Sequence, residues 1–173
     1  MIQRMLRAQT FDERTLAFLQ NFFLFIAAFG FIFYGVEHWV IGHQDLSHWS
    51  ALIPGWVSLV GAPLAIVMFF TTSRLAGYAF IGISLVSFLT GLVGASLHLV
   101  FNASDLGVQL FSINGFLESM QVPYRPVLAG LAHTHVGAVA LAVGLTAWVK
   151  DEPTSSHVSH APHAPHAPQG GIS

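Results

Sequence analysis

The chain has 173 residues, is 54% hydrophobic, and carries 14 formal charges, eight acidic and six basic, where a soluble domain of this length carries roughly 40. That shortfall excludes an ordinary soluble globular protein, and disorder along most of the length is excluded because disordered chains are rich in charge and poor in apolar residues. A net charge of −2 gives no reason to expect a nucleic-acid partner; with a mean hydropathy of +0.65, the class left is an integral membrane protein of a few spans.

The first 14 residues read as a short basic segment ahead of the first span. Four stretches are then long and apolar enough to cross a hydrocarbon core, which takes about 20 residues of helix. They run over about 15–41, 51–72, 75–101 and 126–149, and together predict an all-α bundle of four transmembrane helices across residues 15–150. The first is too long for a signal peptide and lacks its small-residue cleavage pattern, so it reads as a retained span. Pro54 falls in the first turn of the second span, where a missing N–H is harmless; Pro63, near its middle, predicts a kink.

Lys and Arg orient the spans. Arg4, Arg7 and Arg14 precede the first, Arg74 sits between the second and third, and Lys150 follows the fourth, so all five share one side of a four-span chain. Only Arg125 falls on the other. The excess predicts that both termini are cytoplasmic, in a bacterial inner membrane. Residues 42–50, with His43 and His48, then face outward. So do residues 102–125, which are too apolar for water and too short to span, and are expected on the outer interface or folded over the bundle. Asn114 is the expected cap of a short helix there. Asn102-Ala-Ser matches a glycosylation sequon, a pattern short enough to recur by chance.

Residues 151–173 are rich in Pro, Ser, Ala and Gly and predict a disordered cytoplasmic tail. His157, His160, His163 and His166 recur every third residue, which in polyproline II lines four imidazoles along one edge. That edge suits zinc, nickel or copper, although a drifting low-complexity repeat with no selected role is the favoured account of the pattern.

With no cysteine in the chain, thiolate metal sites, dithiol relays and cysteine nucleophiles are excluded. Metal or proton chemistry must run on histidine and carboxylates, and the histidines outside the tail all fall toward the outer side. His133 shares a helix face with Ala129, Gly130, Gly137, Ala140 and Gly144, and His98 shares one with Ser87, Gly91, Gly94 and Ala95. Membrane helices meet through such small-residue faces. His135 points about 200° away from His133. If the third and fourth spans touch, His98 and His133 are expected to approach each other near the outer surface.

Glu37 ends the first span, and a carboxylate at the hydrocarbon edge needs a partner or a proton. Glu37 with His98 and His133 makes a two-histidine, one-carboxylate set suited to zinc, iron or copper. His38 with His98 or His133 makes a bis-imidazole pair suited to haem b. Against both stands the plain role of a membrane histidine, a hydrogen bond across a helix interface. Gln20, Asn21 and Thr90 read as polar positions that pin neighbouring helices, and Phe22, Phe23, Phe25, Phe29, Phe31 and Phe33 as lipid-facing.

Three functions fit. The first is a membrane protein binding one transition metal ion or haem near its outer face, in electron transfer or redox chemistry. The second is an accessory or assembly subunit of a larger membrane complex. The third, metal-ion or proton transport, suffers from a cytoplasmic half without an ionisable relay. The partners expected are the lipid bilayer and either other membrane subunits or a second copy of the chain.

Overall fold

The structure is a computed structural model that describes residues 2–41, 52–71, 73–122 and 127–149. Every regular element among them is helical: α1 (Ile2–Arg7), α2 (Phe11–Val36) with a π-helical continuation (Glu37–Ile41), α3 (Ile53–Phe70), α4 (Arg74–Leu106), α5 (Ile113–Met120) and α6 (Val127–Val149). Four helices, α2, α3, α4 and α6, are long and apolar enough to cross a membrane, as expected of an integral membrane protein. His43, His48 and the four tail histidines lie outside the described residues.

The spans begin and end where local chemistry dictates. Thr10 accepts a hydrogen bond from the Glu13 N–H while the Glu13 side chain returns to the Thr10 N–H. This reciprocal box satisfies donors that a first turn leaves open, and it starts α2 at Phe11, four residues earlier than apolarity alone indicates. The helix α3 carries Pro54 in its first turn and runs on through Pro63. Similarly, α4 runs five residues past the predicted boundary, to Leu106, and stops where Gly107 turns left-handed at φ 66°, a backbone conformation open to glycine.

In the bundle, α2 packs on α3, α3 on α4, α4 on α6, and α6 closes back on α2. This is the up-and-down ring that short connections favour. We call the end at which α2 begins proximal and the opposite end distal. The proximal half holds an apolar core of Leu24, Ala27, Ala28, Phe31, Ala65, Met68, Phe80, Ala140 and Val143. Phe31 belongs to this core, seated against Gly61, whereas Phe22, Phe25, Phe29 and Phe33 face outward. The difference follows from a core face that passes through only one of these rings.

At the proximal end, the Arg4 guanidinium donates to the Ala147 carbonyl at 2.9 Å, covering an acceptor that the last turn of α6 leaves open. At the distal end, α5 folds against α4. Ser112, rather than Asn114, caps it, accepting from the Gly115 N–H at 3.0 Å. Asn102, the residue of the sequon, is wholly buried and donates to the Ser119 carbonyl at 2.8 Å.

The helices α4 and α6 approach to backbone contact. A Cβ on Gly130 would stand 2.7 Å from the Ala95 nitrogen, one on Gly144 would stand 2.7 Å from Ile81 Cγ1, and one on Gly137 would strike the Phe88 backbone. Gly130 therefore faces Ala95, Gly137 faces Phe88 and Gly144 faces Ile81, a single antiparallel register held over four turns.

Candidate functional site in the distal half of the bundle

That register places each predicted ligand. His98 is level with Val127, and His133 is level with Leu92. The two histidines are thus six residues apart along the pair, roughly 9 Å of axis at 1.5 Å per residue. The His133 ring turns further away, because its Nε2 lies 3.3 Å from Ser87 Oγ, on the proximal side of Leu92. The direct contact between α4 and α6 that the small residues predict is present, but its register does not close these imidazoles onto one point.

His133 is 3% exposed and lies between three helices. Tyr34 of α2 meets its ring edge-on, with centroids 5.2 Å apart at 80°, and Ser87 of α4 meets Nε2. Ser87 Oγ also donates, at 3.5 Å, to the His133 carbonyl. A serine has one proton, so with that proton on the carbonyl the Nε2–H donates to Oγ, and the neutral ring carries its lone pair on Nδ1. Nδ1 is buried with no hydrogen-bond partner among the described residues.

A Cβ on Gly35 would stand 3.7 Å from Ser58 Cβ of α3, and Gly35 follows the Tyr34 that packs on His133, so Ser58 lies near the level of that contact along the bundle. Its Oγ is likewise buried without a partner among the described residues. Buried polar atoms without a partner are unusual in a packed interior.

His38 lies one turn further toward the distal end. The Tyr34 contact and the approach of Gly30 to Val136 set α2 against α6, which puts His38 level with Leu128 and Ala129. It is within electrostatic reach of His133. A π-helical turn carries both Glu37 and His38, and such turns frequently sit at functional sites. The His38 ring occupies the space that a Cβ on Gly55 of α3 would fill, and Trp39 stands edge-on to it and to Trp56. Glu37 is half-buried and within electrostatic reach of Tyr34.

Among the described residues, no three His, Asp or Glu side chains are gathered closely enough to hold a metal ion. Ser87 and Tyr34 meet His133, while His38, within electrostatic reach of that ring, packs against Gly55 and Trp39. Sequence reasoning missed Ser58 and the contact of Ser87 with His133. A lone serine in an apolar span carries no signal of its own until the facing helix is known.

Asn21 and Thr90 do not pin neighbours: they bond the carbonyls of Ala17 and Val86 on their own helices. Gln20 is buried with Nε2 lacking a partner among the described residues. His135 faces outward from the bundle, as its offset from His133 predicts.

Comparison with protein-family models, with characterised proteins and with solved structures finds no match to this chain. No family is shown.

Proposed function

We propose that the protein binds a single transition-metal ion in the distal half of its bundle, with His133 Nδ1 as anchoring ligand and His38 as the second. The observation that carries this reading is the buried, unpartnered Nδ1 of His133, opposite an Nε2 tied to Ser87. Ligating histidines characteristically commit the other ring nitrogen to a second-shell acceptor, which fixes the tautomer and the ring direction. Imidazole pairs suit copper, zinc and iron. A haem is the poorer fit, because Nδ1 adjoins the ring carbon that bears Cβ, and a macrocycle on that nitrogen would collide with the side chain's own stem.

In this reading Ser58 supplies a hydroxyl toward the ion or its bound water, and Tyr34 closes one side of the site against lipid. The positive-inside asymmetry supports an orientation with both termini cytoplasmic and the site near the outer face of a bacterial inner membrane. The charge pattern of the distal half, rich in imidazole and poor in Lys and Arg, is compatible with a bound cation.

Metal analysis of detergent-purified protein tests the reading. Wild type is expected to retain or take up about one equivalent of copper, zinc or iron, and His133→Ala to lose it while keeping the helical content of wild type. His38→Ala is expected to weaken uptake without abolishing it. A folded wild type that is metal-free and takes up none of the three on titration would end the proposal.

A further inference from the structure

We propose that the ion held at His133 is monovalent copper, taken up already reduced as Cu(I). The inference rests on the metal-site reading above, with His38 as second ligand, and adds to it the charge and oxidation state of the ion. Burial, local charge and the number of donors each point the same way.

His133 is 3% exposed, between the Tyr34 ring and the Ser87 hydroxyl. Moving an ion from water into such an interior costs free energy in proportion to the square of its charge, so the Born penalty of a divalent ion is roughly four times that of a monovalent one of the same size. Anionic ligands are the usual means of offsetting it. The chain has no cysteine to supply a thiolate, and among the described residues no carboxylate joins two histidines in a cluster. The ionisable group within electrostatic reach of His133 is His38, a second imidazole. Glu37, on the same π-helical turn as His38, is half-buried and within reach of Tyr34 instead. Two neutral imidazoles leave a net charge of +1 on a complex of Cu(I) and +2 on one of zinc, Cu(II) or ferrous iron.

Donor number gives the same answer. Zinc takes three or four protein donors, Cu(II) a tetragonal set, and ferrous iron two histidines with a carboxylate. Two imidazoles fall short of each of these sets. Cu(I), with a filled d shell and no preference for a larger set, forms stable linear complexes with two imidazoles alone. Neutral nitrogen in a water-poor site also protects it from oxidation, because Cu(II) would demand ligands that the site does not offer.

The full chain in detergent tests this under anaerobic conditions, with bicinchoninate as a coloured competitor for Cu(I) and separate titrations with zinc, Cu(II) and ferrous iron. Wild type is expected to withdraw about one equivalent of Cu(I) in a form silent in electron paramagnetic resonance, and to bind the three divalent ions about 100-fold more weakly or worse, two decades in Kd. His133→Ala should lose this Cu(I) while keeping the helical content of wild type, and Glu37→Gln should bind it as wild type does. Binding of any of the divalent ions as tight as that of Cu(I) overturns the proposal but leaves a metal site at His133. Cu(I) binding that survives His133→Ala, or that is lost in Glu37→Gln, also overturns it. A wild type that takes up none of the four ions ends both this proposal and the metal-site reading.

Discussion

Ser87 meets His133 Nε2 at 3.3 Å inside the bundle. With the Ser87 hydroxyl donating to the His133 carbonyl and accepting from the Nε2–H, Nδ1 is left as a buried acceptor. Ser87→Ala removes that acceptor, and a buried N–H left unpaired costs about 1–3 kcal/mol. A lower unfolding temperature in detergent is therefore expected whether or not metal is present. If His133 ligates, metal affinity should also fall about 10- to 100-fold, the usual effect of losing a second-shell partner. Titration of Ser87→Ala and Ser87→Thr separates the two effects: threonine restores the hydroxyl and should recover affinity. Equal affinity in wild type and Ser87→Ala would detach Ser87 from ligation.

At the level of elements, two contacts decide where helices sit. The α4–α6 pair is set by the absence of side chains, since Cβ atoms at Gly130 and Gly137 would meet the backbone of the facing helix. Gly130→Leu or Gly137→Leu forces the helices apart, an overpacking worth about 1–3 kcal/mol or more. Thermal unfolding in detergent should show it, with Gly94→Leu, where an added Cβ meets nothing within 4 Å, as the unaffected control. The second contact is Asn102 to Ser119, which ties α5 to α4. Asn102→Leu leaves the Ser119 carbonyl unpaired and should loosen α5 selectively. Hydrogen exchange is expected to speed up across residues 113–120 while the spans stay protected; unchanged protection of α5 would show that the apolar and small-residue packing suffices.

For the molecule as a whole, charge placement makes the topology testable. Membrane-impermeant thiol reagents should reach single cysteines at Gln9 and Ser155 from one side of the membrane and one at Ser112 from the other, since the positive residues favour retention of both termini. Labelling of all three from one side would refute the arrangement. The expected distribution of stability is also uneven: the proximal half is packed with aliphatic and aromatic side chains, while the distal half trades apolar contact for imidazole and hydroxyl. A metal ion bound as proposed would raise stability there, because anything that binds the folded state alone stabilises it by mass action.

Four spans, their approximate bounds and the gathering of histidine toward one end follow from composition and hydropathy, because lipid demands long apolar helices and admits little else. The outward turn of His135 is equally legible, since helical periodicity alone separates it from His133. A start at Thr10 was readable in Thr10-Phe-Asp-Glu13, a capping box that apolarity conceals. What the sequence leaves open is register. The small residues of α4 and α6 announce a contact, but only the fitted backbones decide that Gly130 meets Ala95, and so that His133 meets Ser87 and stands apart from His98. The pairing of His38 with Gly55 depends on a π turn for which the residues give no local sign. Periodicity fixes the direction of a side chain about its own helix; its level against another helix is a property of the packed pair, and the candidate site is made of such levels.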